Sequence, residues 1–247
     1  MLVRSVLLSI GLILAAASLS ARVKWEMDFE TAYVMPGYND VRIPGNTGTE
    51  FSLSKDLDAQ SRFVGRIRLT YYAGEKHSLS VLAAPLRIDS EGNIDRTIQF
   101  AGEEFAAGSF IDSRYRFDSY RLTYRYDFRR NSRLNLGIGV TAKIRDAAIT
   151  LWGDGKVGEK TNVGFVPLIN FKTDWQIGEK TSLLLEGDAL AAPQGRAEDV
   201  LFALYVKPSE KAHFKIGYRV LEGGADNDEV YNFALFHYLT IGTVWRF

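Results

Sequence analysis

The sequence predicts an all-β fold: a closed, antiparallel, up-and-down barrel of ten strands that crosses a membrane. Three observations predict it. Apolar and polar residues alternate with period two along most of the chain. Short polar turns alternate with longer connections rich in glycine, proline, aspartate and asparagine. The polar strand faces carry charges of both signs, while the apolar faces carry aromatic rings near their ends. The chain has 247 residues and balances 30 basic against 30 acidic side chains. That balance argues against a nucleic-acid binder, which needs a concentrated basic surface. With 46% apolar residues, the chain is also unlike a disordered one. Cysteine is absent, which excludes a disulfide scaffold, a thiolate metal site, a cysteine nucleophile and a lipid-anchored lipoprotein.

Residues Met1–Ala21 read as a secretory signal peptide: Arg4, an apolar run from Val6 to Ala17, then small residues. The run is about 12 residues, whereas a spanning helix needs roughly 20. Residues 22–247 then form a single barrel domain, with no linker and no shift in composition.

The first strand, 23–33, places Val23, Trp25, Met27, Phe29, Thr31 and Tyr33 on one face and Lys24, Glu26, Asp28 and Glu30 on the other. A helix would scatter those charges around its circumference; a strand separates them. The second, 61–72, sets Phe63, Ile67, Leu69 and Tyr71 against Arg66 and Arg68. Strands follow at 78–88 and 113–128, the latter carrying Arg121, Arg125 and Asp127 against Tyr126 and Phe128. The fifth, 133–150, alternates Leu136, Ile138, Val140 and Ile144 with Asn135, Thr141, Lys143 and Arg145. The sixth, 162–177, is a weaker alternation ending near Trp175. The last four, 182–190, 199–207, 213–222 and 229–247, add Glu186 and Asp188, then Lys215 and Arg219. Eight or twelve strands remain open if one segment is split or merged. Thr49–Ser54 and Thr97–Phe100 read as strand extensions above the membrane.

The turns share a pattern: Gly74–Leu79, Gly178–Leu183 and Ser209–Phe214 each break an alternation with Glu-Lys. Such short breaks suit tight hairpins. The other connections, roughly 34–60, 89–112, 152–161, 191–198 and 223–228, are longer and variable, so the two ends of the barrel differ.

Polarity distinguishes a membrane barrel from a soluble lipocalin-like barrel or sandwich with a solvated charged face. On a lipid-facing wall Lys24, Glu26, Asp28 and Glu30 would each cost up to a few kcal/mol near the midplane. Facing inward, they can meet Arg66 and Arg68. The expected lumen-lining set is Lys24, Glu26, Asp28, Glu30, Arg66, Arg68, Arg121, Arg125, Lys143, Glu186, Asp188, Lys215 and Arg219. Outward, Trp25, Tyr71, Tyr126, Trp175, Trp245 and Phe247 form one girdle, and Tyr33 and Phe233, with Phe165 and Tyr231, form the other. Amphipathic rings favour the headgroup layers.

The segment Tyr238–Phe247 ends in an aromatic residue preceded by alternating apolar positions, Ile241, Thr243 and Trp245. It resembles the terminal strand of Gram-negative outer-membrane β-barrel proteins, and the signal peptide and the alternation along the chain fit that class. The resemblance implies an outer-membrane location with both termini periplasmic, and recognition of the terminal strand by the barrel-assembly machinery. Expected partners are outer-membrane lipid and lipopolysaccharide; the expected state is a monomer.

Catalytic signals are sparse. His77 and His213 fall in or beside the short turns and read as turn polar groups. His237 falls on the lipid-facing register, where the resemblance would suggest a lipid A deacylase base, but no serine follows two residues on. Thr31 is the nearest outward hydroxyl candidate. An omptin-like protease would need a histidine beside paired acids at the outer rim, and the long connections contain none. No metal or cofactor site is expected; Asp226-Asn227-Asp228 lacks a calcium-loop pattern. The sequence therefore points to a narrow barrel largely plugged by its own charges, porin-like in architecture, with a structural or surface-interaction role. Its working residues would be on exposed loops carrying Tyr38, Ile43, Pro44, Phe105 and Phe110. The alternatives are a narrow pore for water, ions or very small solutes, and a lipid A hydrolase or omptin-like protease.

Overall fold

Alternation and tight turns produce strands throughout the computed structural model, which describes residues 24–193 and 195–247. The segment Met1–Ala21 and the side chain of Lys24 lie outside the described residues. The strands are β1 (Lys24–Arg42), β2 (Phe51–Ser52), β3 (Asp58–Ala59), β4 (Arg62–Ala73), β5 (His77–Ala84), β6 (Arg87–Asn93), β7 (Ile98–Phe100), β8 (Glu103–Phe105), β9 (Phe110–Arg130), β10 (Leu134–Gly153), β11 (Lys156–Gln176), β12 (Thr181–Ala192), β13 (Gly195–Val206), β14 (Ala212–Asp226) and β15 (Tyr231–Arg246). Ten wall strands close the ring, with β5 and β6 acting as two halves of one. Each pairs antiparallel with its neighbour, and β15 returns to β1. Closure leaves no unpaired edge at the β1–β15 joint, as hydrocarbon demands.

The wall is inside-out relative to a soluble protein. Phe29, Ile67, Leu122, Ile138, Val140 and Ile241 face outward and are exposed. Glu26, Asp28, Glu30, Arg66, Arg121, Arg125, Glu186, Asp188, Lys215 and Arg219 are buried inside. The girdle rings pair on the outer surface, Trp25 with Tyr71 at 5.1 Å and Tyr33 with Phe63 at 5.2 Å.

Several strands run further toward the long-loop end than the sequence suggests. β1 continues to Arg42 because a register shift between Pro36 and Asn39 absorbs Gly37 and Tyr38, so the ladder with β15 resumes beyond them. Proline has no amide to donate and is tolerated at such a bulge. The expected loop 152–161 is mostly strand: β10 and β11 pair up to Gly153 and Lys156. Asp154 and Gly155 take φ of 52° and 69°, the conformation whose twist matches a two-residue hairpin. The expected strand 78–88 instead breaks at Pro85, where Asp118 accepts the Leu86 amide at 3.2 Å and Arg87 at 2.7 Å.

The connections after β1 and β6 fold over the mouth as an ordered cap. Ile43, Phe51, Leu53, Leu57, Ile94, Ile98, Phe100 and Phe105 form one apolar core with Tyr115, Ile149 and Phe236 of the wall. This corrects the expectation that Ile43 and Phe105 are surface anchors: both are buried, while Phe110 is exposed. Of the two expected strand extensions, one forms only β2 and the other forms β7, paired with β8. The tip of the β10–β11 hairpin pins the cap: Asp154 accepts the Ala106 amide at 2.9 Å and the Ser109 hydroxyl at 2.6 Å.

Asp56 ties the two cap segments together. It accepts Arg96 Nη2 at 2.8 Å and the Ser52 amide at 2.7 Å. The Arg96 hydrogen bond holds its carboxyl below the ordinary aspartate value of 3.8. Because the folded carboxyl is the stronger acid, the tie is complete above that value and is lost as pH falls through the lower folded one. The protection factor of the Ser52 amide is therefore expected to fall below about pH 4 in the native chain. In Asp56→Asn it should already be low at pH 7 and change little on acidification. Equal protection factors in the two proteins would refute the tie.

Candidate functional site: a charge plug beneath an apolar chamber

Inward positions on opposite walls bring the strand charges together across the lumen. Arg66 reaches adjacent Glu30 at only 3.5 Å but donates to Asp199 of β13 at 2.9 Å. Arg68 spans to Glu186 of β12 at 3.0 Å. Arg219 clamps Glu30 through Nε and Nη2, both at 2.9 Å, and also bonds Asp199. Arg121 bridges Asp188 at 2.7 Å and Asp199 at 2.6 Å. Lys215 holds Asp28 at 2.7 Å and Glu30 at 2.9 Å. The Arg66–Glu30 contact expected from strand adjacency is thus secondary; Arg66, Arg68 and Arg121 reach across the barrel, while Arg219 and Lys215 join near neighbours, and together they fill the lumen.

Asp199 is the hub, taking Arg66, Arg121 and Arg219 together. Sequence reasoning missed it because β13 is apolar on both faces, Leu201, Ala203 and Tyr205 inside and Phe202 and Leu204 outside. Only the parity of Asp199 with Leu201 and Tyr205 marks it as inward. Near the short-turn end, Leu184, Leu201, Ala203, Tyr205 and Val244 add an apolar patch inside. Glu26 pairs with Arg246 at 2.7 Å, and Arg125 with Asp127 at 3.3 Å. Within the plug the lumen narrows to a void of about 20 Å³ beside Arg68 and Glu186.

Above the plug and below the cap lies a chamber of about 820 Å³. Its walls include Tyr115, Phe117, Ile149, Val166, Leu221 and Phe236, and its floor carries Lys143 and Arg145. Lys143, expected among the lumen charges, sits at this floor. It is only 3% exposed, packs its ammonium 4.6 Å from the Phe117 ring and makes no ion pair. Arg145 donates to the neutral Asn162 side chain, and its Nε has no partner. At the upper rim Glu222 pairs with Arg196 at 2.8 Å and Glu229 with Lys160 at 3.1 Å, and Asp228 also lines the chamber.

The histidines do not assemble a catalytic group. His237 bonds Tyr218 on the outer wall and faces Met35 across the β1 ladder. Thr31 instead faces Ile241, four residues along β15, or about 13 Å at strand spacing, and donates to the Val64 carbonyl. His77 meets Tyr124 at 2.8 Å on the outside. His213 is buried inside against Tyr205 at 2.8 Å and is a lumen residue rather than a turn group. Among the described residues no group of three or more histidines and carboxylates is placed to hold a metal ion.

No protein-family model matches the sequence, and no curated protein does. By structure the chain is similar to the outer membrane protease OmpT of Escherichia coli, with a TM-score of 0.53 and 8% identity over 93% of this chain and 99% of that one. It is also similar to an outer membrane channel of Pseudomonas putida F1, with a TM-score of 0.48 and 10% identity over 93% and 97%. A third is Ail, the attachment invasion locus protein of Yersinia pestis, with a TM-score of 0.42 and 12% identity over 90% and 99%. At such identities the likeness concerns the fold alone. The chain has the closed ten-stranded fold of the Gram-negative outer-membrane β-barrels.

Proposed function

We propose that this protein is a sealed outer-membrane barrel that acts by binding at its capped end and does not conduct solute. The observation that carries the reading is the Asp199 hub on β13, which ties β4 and β9 across the lumen to neighbouring β14. A buried network of paired charges fills the path a hydrated ion would need, and the ordered cap covers the opposite mouth. In this reading Met1–Ala21 directs export, the short turns and both termini face the periplasm, and the chain is a monomer. The outward rings meet lipid and lipopolysaccharide, and the β15 strand ending in Phe247 engages the barrel-assembly machinery. The partner of His237 is the Tyr218 phenol, with Thr31 four residues away along the ladder, which favours binding over serine- or threonine-based lipid hydrolysis.

Planar-bilayer recording tests the proposal. The wild-type barrel is expected to show no steady conductance, and Arg121→Ala/Arg219→Ala to admit small-ion current as the plug loosens. Steady ohmic current through the wild type, altered by neutralising Arg66 and Arg68, would replace this reading with a pore.

A further inference from the structure

β11 and β12 are zipped only from Gln176–Ser182 to Ile169–Ala189. Beyond Ile169, β11 continues to Lys156 paired with β10 alone, while β12 turns toward β13. Pro167 stands where the next ladder bond would form and has no amide to donate. The wall therefore has a lateral seam, and Phe165, Val166, Pro167, Leu190 and Ala192 along it also line the chamber.

The seam's lower part lies at lipid depth. Phe165 and Val163 face outward and are exposed beside Ile144. Outward charges begin only at the level of Asp146, which faces Val163 and pairs with Arg116 at 3.0 Å. The plug closes the chamber from below, Ile43 of the cap and the β14–β15 turn border it above, and the seam opens its side toward the bilayer.

The chamber's chemistry defines what enters. Its lower walls are mainly aliphatic and aromatic and its rim carries Glu222, Asp228 and Glu229, while Lys143 packs on Phe117 and Arg145 donates to Asn162, neither in an ion pair. Arg66, Arg68, Arg121, Lys215 and Arg219 below all hold a carboxylate. A buried cation without a counter-charge is costly and is relieved by an anionic ligand. The volume of about 820 Å³ falls within the range of single small-molecule sites, about 300–1,000 Å³. It suits one acyl chain with its head and is too small for a multi-chain glycolipid.

We propose that the chamber binds a single-chain anionic amphiphile, which slides in from the outer leaflet through the β11–β12 seam and places its acidic head on Lys143 and Arg145. The inference rests on the sealed-barrel reading only in that the plug closes the chamber floor.

The test uses the barrel in lipid nanodiscs, with radiolabelled palmitate as an exogenous acid, lysophosphatidylglycerol as a membrane-derived one, and hexadecanol as the neutral control. Saturable palmitate binding is expected above that of empty discs, with hexadecanol at least about tenfold weaker. The Lys143→Gln/Arg145→Gln variant should lose about tenfold or more in affinity for the acid and none for the alcohol. Tighter binding of lysophosphatidylglycerol than palmitate would assign the source to the membrane, and the reverse to the surroundings. A second variant, Leu168→Cys/Leu190→Cys, should close the seam when oxidised and slow uptake, with reduction restoring it. Heat-dependent electrophoretic mobility confirms that each variant is folded. No binding above empty discs, equal binding of acid and alcohol, or unchanged affinity in the folded double-glutamine variant would overturn the proposal. Conductance through the wild type would defeat the sealed-barrel reading while leaving palmitate binding measurable in its own right.

Discussion

Asp199→Ala is expected to lower the unfolding free energy by about 3–5 kcal/mol, the cost typical of removing one partner from a buried ion network. The substitution leaves Arg66, Arg121 and Arg219 facing one another with their shared acceptor gone. Glu30 and Asp188 still compensate part of that charge, which keeps the loss finite. Urea titration of the reconstituted barrel, followed by heat-dependent mobility, would read the change. Asp95→Ala serves as the control, because its pair with Arg96 is solvent-exposed and worth about 0–1 kcal/mol. Adding Arg66→Ala to Asp199→Ala should recover stability, since Arg66 then keeps only Glu30, at 3.5 Å and already held by Arg219. An unchanged midpoint in Asp199→Ala would show that the three guanidinium groups do not depend on it.

Val140→Arg should destabilise the barrel by about 2–4 kcal/mol, because Val140 lies in the middle of the outward series on β10 and would place a guanidinium in hydrocarbon. Val157→Arg should cost about 0–1 kcal/mol, because Val157 lies six residues beyond Val163 along β11, outside the apolar band. The two valines are exposed to nearly the same degree, 59% and 55%, so exposure alone predicts equal effects. The difference isolates the solvent: in water both changes would be close to neutral. Equal stability of the two variants in bilayers would refute a lipid-facing wall.

What was legible in the sequence is what strand periodicity controls. Glu26, Asp28 and Glu30 alternate with Trp25, Met27 and Phe29, and a period of two leaves little choice of face. The ten wall strands and the inward charges follow from such local patterns. Partners across the lumen do not, because nothing local ties Arg66 to Asp199, 133 positions away. The cap was illegible for a related reason. Ile43, Phe51, Leu53 and Leu57 have no period, and their burial depends on a second distant segment around Ile98 and Phe105. The Asp154-Gly155 turn is different: that dipeptide between apolar strands is a strong local hairpin signal, and it makes 152–161 a hairpin rather than a long loop. The chamber and seam emerge only in three dimensions, although Pro167 inside an otherwise continuous strand is their local trace.

The joint between β1 and β15 has a consequence for how the molecule is made. It sets Glu26 beside Arg246, 220 positions apart, so the ring cannot shut until nearly all of the intervening polypeptide has been delivered. Until then the growing sheet has two sticky margins, each able to recruit a stray strand. Contacts this remote in sequence also form slowly. An intermediate that lacks β15 therefore keeps both margins open and is expected to aggregate rather than close as a smaller barrel.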